Sequence, residues 1–422
     1  MIFSLDVRRA RKGDCLLLHF GTKAKPGLVM IDGGPTGVYR QHLEPRLLEI
    51  KRARGLDRQQ PLPVDLLMIS HVDDDHIRGI LDLTTEMKAV PDGQPRLVRV
   101  LRLWHNSFDD IIGKDPKELT AAVTAQFGPA SLDGDLPDDA SVDSDEDEEV
   151  IGDSLKVLAN IEQGHRLRGD AQALRFQLPK KLILAGKDEI KLESLSFVVA
   201  GPMQAELKKL QEDHDKWLAE RKAKGGSAES ALAAYVDESV ANLSSIVVLA
   251  RSGGKSMLLT GDARGDKMLT GLETVGLLKS GGSVHVDILK VPHHGSARNL
   301  KTEFFRRVTA DHYVFSGNGE HGNPDREALE MLFEARPDKP FQIHLTYPID
   351  EIDAAREVDW KNAQSREKKK KKAKTPPREN WSARKHGLTA FFKKKKLAKG
   401  QKLVIVDEKK PHVIDLLDPL GY

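Results

Sequence analysis

The sequence predicts a mixed α/β fold with two β-sheets and helices outside them, and three observations carry this reading. Short apolar runs bounded by Gly, Pro and charged residues recur through the first 350 residues. Runs this short favour strands over helices. Several follow one another with no helical pattern between, and they outnumber what a parallel βαβ wheel needs. Two sheets covered by helices bury such a set.

Taken in order, IFSLDV, CLLLHF and LVMID read as strands at the start of the chain. The run Val64–Ser70 (VDLLMIS) is continuously apolar, as expected of a strand buried on both faces. A helical stretch precedes the next strand, Val98–Trp104 (VRVLRLW). Residues 131–150 have too few apolar groups to order themselves and read as an acidic loop. Residues 204–224 place Leu207, Leu210, Trp217 and Leu218 near one helical face, stopped by Gly225-Gly226. Strands follow at Ser244–Ala250, Ser256–Asp262, Val286–Pro292 and His312–Gly317, with helices at 297–308 and 325–335. No internal repeat is present. The composition shifts near residue 350, so a domain over 1–350 is expected to carry a Lys-rich extension, 351–422. Its last apolar runs, KLVIVD and HVIDLLD, read as a terminal hairpin.

The 422 residues hold 66 Lys+Arg against 64 Asp+Glu, and this length suits about one to three domains with a sizeable core. The near-neutral sum hides segregation: 133–149 hold ten acids and no base, whereas 366–402 are dominated by Lys and Arg. No stretch approaches the roughly 20 apolar residues of a membrane span. The N-terminal residues place their charges after the apolar ones, the reverse of a signal peptide. The single cysteine, Cys15, excludes an intramolecular disulfide framework and fits a reducing, cytoplasmic setting. It also excludes a Cys-based zinc site, so a metal here must be held by His and carboxylates.

Four segments have the residue types for that. Ser70–Gly79 sets His71, Asp73, Asp74, Asp75 and His76 directly after a buried strand, where a tight turn can converge several N and O donors. Leu258–Asp262 ends a strand in Gly261-Asp262. Lys290–Ser296 sets His293 and His294 side by side after another strand. Met30–Gly34 ends in Asp32-Gly33-Gly34, and its Asp can orient a ligand histidine from behind.

The order DGG, HxDxDH, TGD, PHHGS resembles the metallo-β-lactamase superfamily, most of all the soluble metallohydrolase domain of ComEC-type proteins, over roughly residues 1–345. The resemblance implies a four-layer αββα sandwich with a dinuclear site at one sheet edge. It implies His71 and Asp73 as first-site ligands, with Asp73 where most of the superfamily has His. Asp75 and His76 match second-site ligands, and Asp262 the bridging carboxylate. One of His293 and His294 supplies the last ligand, which of the two being open. The slot of the third first-site ligand falls near Asn242. Arg78 stands where Gly is common and can meet an anionic substrate.

The implied cofactors are two divalent ions, Zn²⁺ or Mn²⁺, with Mg²⁺ also admissible; Asp73 in place of imidazole shifts the preference toward harder ions. The implied activity is metal-dependent hydrolysis, with a phosphodiesterase or nuclease favoured: the ions polarise a phosphoryl oxygen and make water a nucleophile near neutral pH. Asp75 would orient that water, and His293, His294 or His321 would hold the oxyanion or protonate the leaving group. The alternatives are hydrolysis of a small ester, thioester, lactam or cyclic nucleotide, or a non-catalytic subunit of a multi-protein defence system, since fold does not fix substrate. The Lys-rich segment, with Trp360, Trp381, Phe391 and Phe392 around it, can contact nucleic acid. His105, Asn106 and the Gln163–Arg166 segment are expected in solvated loops or at a helix start.

Overall fold

Phe3, Leu5 and Val7 of β1 (Ile2–Val7) enter one core while the whole strand is buried, the alternation of a strand covered on both faces. The structure, a computed structural model, describes residues 1–91, 93–107, 162–208, 244–369, 376–407 and 409–422. In β2 (Leu16–Gly21) and β3 (Pro26–Ile31), Leu16, Leu18, Val29 and Ile31 join the core of Phe3, whereas Leu17, Leu28 and Met30 join a second one. With β5 (Leu66–Met68), β7 (Leu103–Trp104) and β16 (His412–Asp415) these form a six-stranded sheet of order β16-β1-β2-β3-β5-β7.

The larger sheet has the order β15-β14-β13-β12-β11-β10-β9-β8. Its strands are β8 (Ile190–Leu192), β9 (Leu195–Gly201), β10 (Val247–Ser252), β11 (Lys255–Leu259), β12 (Val284–Lys290), β13 (Val308–Phe315), β14 (Phe341–Leu345) and β15 (Gln401–Ile405). Phe197, Val199, Val248, Ala250, Met257 and Leu259 pack into the core shared with the first sheet. Val198, Ala200, Leu249 and Leu258 point the other way, against the helices Gly265–Thr274, Thr302–Arg307 and Arg326–Ala335. The outer face of the first sheet is covered by α1 (Glu44–Ala53) and α2 (Asp74–Ala89). The layer order is therefore αββα, as the motif order implied.

Four expectations change in detail. The apolar run at 64–70 is not one strand: β4 (Leu62–Val64) pairs with β6 (Val98–Val100) in a small separate sheet, while β5 pairs with β3. Asp65 breaks the run, because its carboxylate accepts the Leu28 N–H at 2.9 Å. The run at 98–104 divides likewise into β6 and β7. The helix expected over 297–308 is a 3₁₀ turn at Ala297–Asn299 followed by Thr302–Arg307.

The terminal hairpin does not form. β15 pairs parallel with β14, and β16 pairs antiparallel with β1 in the other sheet. Each strand finds a sheet edge that would otherwise stay unpaired, which a hairpin would leave open. The extension thus closes both sheets instead of standing apart from them. The acidic segment 131–150, most of the helix expected over 204–224, and Asn242 lie outside the described residues. Among the described residues no helix is long and apolar enough to cross a membrane.

Candidate metal centre

The turns that follow β3, β5, β11 and β12 bring the chemistry-bearing residues together. Two of the strand pairs behind them, β3–β5 and β11–β12, are parallel, so the turns leave at the carboxyl ends of the strands, where α/β folds place ligands. The turns are tied by backbone bonds: Asp32 N–H to Met68 O at 2.9 Å, Gly33 N–H to His76 O at 2.7 Å, Ile246 N–H to Ser70 O at 2.8 Å and His293 N–H to Gly261 O at 3.1 Å.

Backbone strain concentrates here. Asp32, His293 and His294 hold φ of 56°, 48° and 53°, a left-handed conformation that side-chain-bearing residues pay to adopt. Gly261, with φ 49°, is required as glycine, because a Cβ there would sit 2.7 Å from Ser70 Cβ. Asp73 is the extended residue before α2, so Asp74 and Asp75 occupy its first turn, at the positive end of the helix dipole.

Asp75, His76, Asp262 and His294 offer donor atoms that all lie within 4.8 Å of one another. His76 Nε2 is 3.4 Å from Asp262 Oδ1, and His294 Nε2 is 3.3 Å from Asp262 Oδ2 and 3.8 Å from Asp75 Oδ2. His71 Nε2 also lies 3.9 Å from Asp262 Oδ2, and 3.3 Å from Asp73 Oδ2. Asp262 is thus the carboxylate that all three buried imidazoles approach. Of the twin histidines, His294 is buried within the four-donor group, whereas His293 stands at the mouth, 29% exposed, with Nε2 3.8 Å from Asp262 Oδ2 and Nδ1 against the Asn299 amide.

Each inner imidazole is fixed through its far nitrogen. His76 Nδ1 donates to Asp32 Oδ2 at 2.9 Å, His71 Nδ1 meets Ser70 Oγ at 3.0 Å, and His294 Nδ1 meets Ser316 Oγ at 3.0 Å. Asp32 is itself held by the Ser70 N–H and hydroxyl, each at 2.7 Å. Outer partners of this kind orient metal-ligating histidines. His71 Nε2, His76 Nε2, His294 Nε2 and Asp262 Oδ1 are buried and make no hydrogen bond among the described residues. A set of buried, aimed and unsatisfied N and O atoms fits a divalent cation, for which such donors must converge.

The charges agree. Burial disfavours a charged His76, yet the Asp262, Asp32 and Asp75 carboxylates outweigh it and raise its pKa well above the ordinary value. His294 is pushed up to about 9 against burial, with Asp262 the chief cause. Asp262 is held well below the usual carboxylate range, burial being overcome by His294, His76 and His293. Burial pushes His293 down.

Other expected residues fall around this centre. Arg78 lies one turn along α2, mostly buried, with Nε 4.0 Å from Asp82 Oδ1. His321 is exposed in the 3₁₀ turn Glu320–Gly322 and is not among the clustered donors. Asn106 is structural: its amide pairs with both the N–H and the carbonyl of Ile183, at 2.8 and 2.9 Å. Gln163 opens a helix over 162–173 and donates to Asp74 Oδ1 at 3.1 Å. The aromatic residues of the extension are used in packing: Phe391 enters the core against Phe333, at 5.8 Å, and Trp360 meets Trp381 at 5.8 Å. Trp360 stacks on His386 at 4.2 Å, has the Arg378 guanidinium 5.0 Å from its centroid, and donates to Glu379 O.

Sequence reading missed Asp14 and Lys290, which make a buried ion pair beside the cluster. Asp14 Oδ1 is 3.5 Å from His294 Nδ1. The Gly13-Asp14 pair before a buried strand was the available sign; a Cβ on Gly13 would fall 1.8 Å from Asp75 O, so only glycine lets this loop close over the site.

No family model matches the chain. It is 36% identical over 80 residues to microtubule-associated protein 1A of Homo sapiens, a stretch covering 18% of this chain and 3% of that protein. It is similar to a β-lactamase domain protein from Burkholderia ambifaria, at 15% identity and a TM-score of 0.24 over 59% of this chain and 47% of that one. It is also similar to MEM-A1, a subclass B3 metallo-β-lactamase isolated from a soil metagenome library, at 13% identity and a TM-score of 0.26 over 71% and 84% of the two chains. The chain thus spans less than half of the Burkholderia protein and a small part of the microtubule-associated one. Overlaps this loose carry no argument about site or substrate; layer order and donor set stand on this chain's own residues.

Proposed function

We propose that the protein is a metal-dependent hydrolase of phosphodiesters, with nucleic acid the favoured substrate. The observation that carries it is the buried convergence of three unsatisfied imidazole Nε2 atoms on Asp262, with Asp73 and Asp75 beside them. His71 and Asp73 would hold one divalent cation and Asp75, His76 and His294 a second, with Asp262 shared; Zn²⁺ or Mn²⁺ suits the mixed N and O donors. The carboxylates of Asp73, Asp75 and Asp262 lie among these imidazoles, an anionic setting that favours divalent cations. Bound there, such cations supply Lewis acidity toward a phosphoryl oxygen and acidify water.

The chain's own groups do the rest. Asp32, Ser70 and Ser316 hold the imidazoles in place, so little reorganisation accompanies the reaction. His293, at the mouth, presents Nε2 where it can take a proton from, or return one to, a bound substrate. Arg78 can offset the charge of an anionic substrate over the first turn of α2. The nucleic-acid part is supported by the basic extension. Its helix Ile349–Lys369 packs on the loop that follows Ser316, where Arg356 donates to Gly322 O at 2.9 Å, so its lysines lie on an element joined to the site. Such lysines bind a phosphate backbone through counterion release.

The test is hydrolysis of single-stranded DNA, duplex DNA, RNA and bis(p-nitrophenyl) phosphate with Mn²⁺ or Zn²⁺. Asp75→Ala and Asp262→Ala should each abolish turnover and lower metal uptake. Metal-loaded wild type that leaves every phosphodiester intact while cleaving a carboxylic ester or lactam would move the assignment to the small-molecule reading.

A further inference from the structure

Lys290 ends β12 and is fully buried beside the cluster. Its Nζ contacts Asp14 Oδ2, lies 3.3 Å from the Gly261 carbonyl oxygen, to which it donates, and 3.9 Å from Asp262 Oδ1. Asp14, Asp32 and His76 form a second buried group whose nearest N and O atoms lie within 4.8 Å of one another; His76 Nδ1 donates to Asp32 there, and the two carboxylates are what would attract a cation. Asp32 already serves the Ser70 N–H, the Ser70 hydroxyl and His76 Nδ1. Asp14 Oδ2 is 4.0 Å from the same nitrogen. A buried carboxylate without a positive partner is strongly unfavourable. Here the partner is part of the chain.

We infer that Lys290 is a built-in cation of the metal centre: its ammonium takes the place beside Asp14 that a divalent ion would otherwise fill. It thereby confines divalent ions to the donors around Asp262. An ammonium and a divalent ion cannot share one buried carboxylate oxygen, because their repulsion at such separations is large in a poorly solvated site. Lys290 also keeps Asp14 beside His294 Nδ1, so it is a positioning residue for that imidazole. The inference rests on the reading that the cluster around Asp262 holds divalent ions.

The experiment counts ions and does not depend on turnover. Wild type, Lys290→Met, Lys290→Arg and the double variant Lys290→Met/Asp14→Asn are stripped with EDTA, dialysed against Mn²⁺ and analysed for bound metal. Lys290→Met should hold one more Mn²⁺ per chain than wild type. Lys290→Arg, which keeps the charge, and the double variant, which removes the carboxylate, should return to the wild-type count. Melting is measured in parallel, because Lys290→Met leaves the buried Asp14 carboxylate without its positive partner. Mn²⁺ should raise its melting temperature more than it raises that of wild type. An unchanged count in Lys290→Met, an extra ion that persists in the double variant, or a Lys290→Met protein that stays unfolded in saturating Mn²⁺ each overturns the inference. Wild type that takes up no Mn²⁺ overturns the metal centre with it, whereas uptake by wild type without a gain in Lys290→Met overturns this inference alone.

Discussion

Gly79 tests whether the position of α2 sets the metal centre. The residue sits in α2, one turn beyond Asp75 and His76, and its backbone touches the turn that carries Asp32. A Cβ at this position would lie 2.0 Å from Gly33 O and 2.8 Å from Gly33 C, both backbone atoms that no side-chain rotation can move. Merely bringing that contact to 3.0 Å requires α2 and the turn after β3 to part by about 1 Å, and displacement of this size costs about 100-fold where geometry is catalytic. The same movement stretches two bonds, Gly33 N–H to His76 O at 2.7 Å and Gly79 N–H to Gly34 O at 2.9 Å. Glycine to alanine in an open helix position stabilises by about 0.4–1 kcal/mol. Here overpacking should reverse the sign and cost about 1–3 kcal/mol. Gly79→Ala should therefore melt a few degrees lower and bind Mn²⁺ at least tenfold more weakly by calorimetric titration. Gly169→Ala is the control, since it lies in the helix at 162–173 with nothing within 4 Å of its added Cβ; it should keep its Mn²⁺ affinity and melt no lower than wild type. A Gly79→Ala protein with wild-type melting and wild-type Mn²⁺ affinity would show that the packing of α2 on the Asp32 turn does not position the ligands.

Two further outcomes follow from charge. EDTA should lower the melting temperature, and Mn²⁺ at 100 times its dissociation constant should restore about 2.7 kcal/mol; melting indifferent to both would remove the structural case for a bound ion. Acidification should act through His344, whose Nε2 meets His312 Nδ1 at 3.0 Å and whose Nδ1 meets His412 Nε2 at 2.8 Å, linking β13, β14 and β16. Burial, then the neighbouring His412 and His312, holds His344 at about 2, far below its ordinary 6.5. The unfolded chain therefore takes up a proton below pH 6.5 that the folded chain refuses until about pH 2. This stabilisation is complete above the unfolded value and falls by about 1.4 kcal/mol per pH unit beneath it. His344→Gln should show a shallower loss of stability between pH 6.5 and 4.5 in urea titrations, and equal slopes for the two proteins would refute the contribution.

The layers were legible because the inner strands are covered on both faces, so runs such as CLLLHF and SSIVVLA are continuously or nearly continuously apolar, without the regular polar alternation of a surface strand. The HVDDDH segment was legible for a local reason too: its donors share one turn. What failed was information held in partners distant along the chain. KLVIVD and HVIDLLD lie close enough for a hairpin, and nothing local says that β15 completes the edge beside β14 while β16 completes the edge beside β1. Sequence distance hid the Asp14–Lys290 pair as well, since Asp14 belongs to none of the four segments and the contact spans most of the chain. Yet one sign was present. Ile288 lies in the core between the sheets, Lys290 follows it by two residues, and its register partner Val314 is in the same core. By the two-residue period of a strand, this lysine had to face inward. A buried ammonium needs an acid opposite it, and a turn that delivers a carboxylate to that point was required by Lys290 before any fold was known.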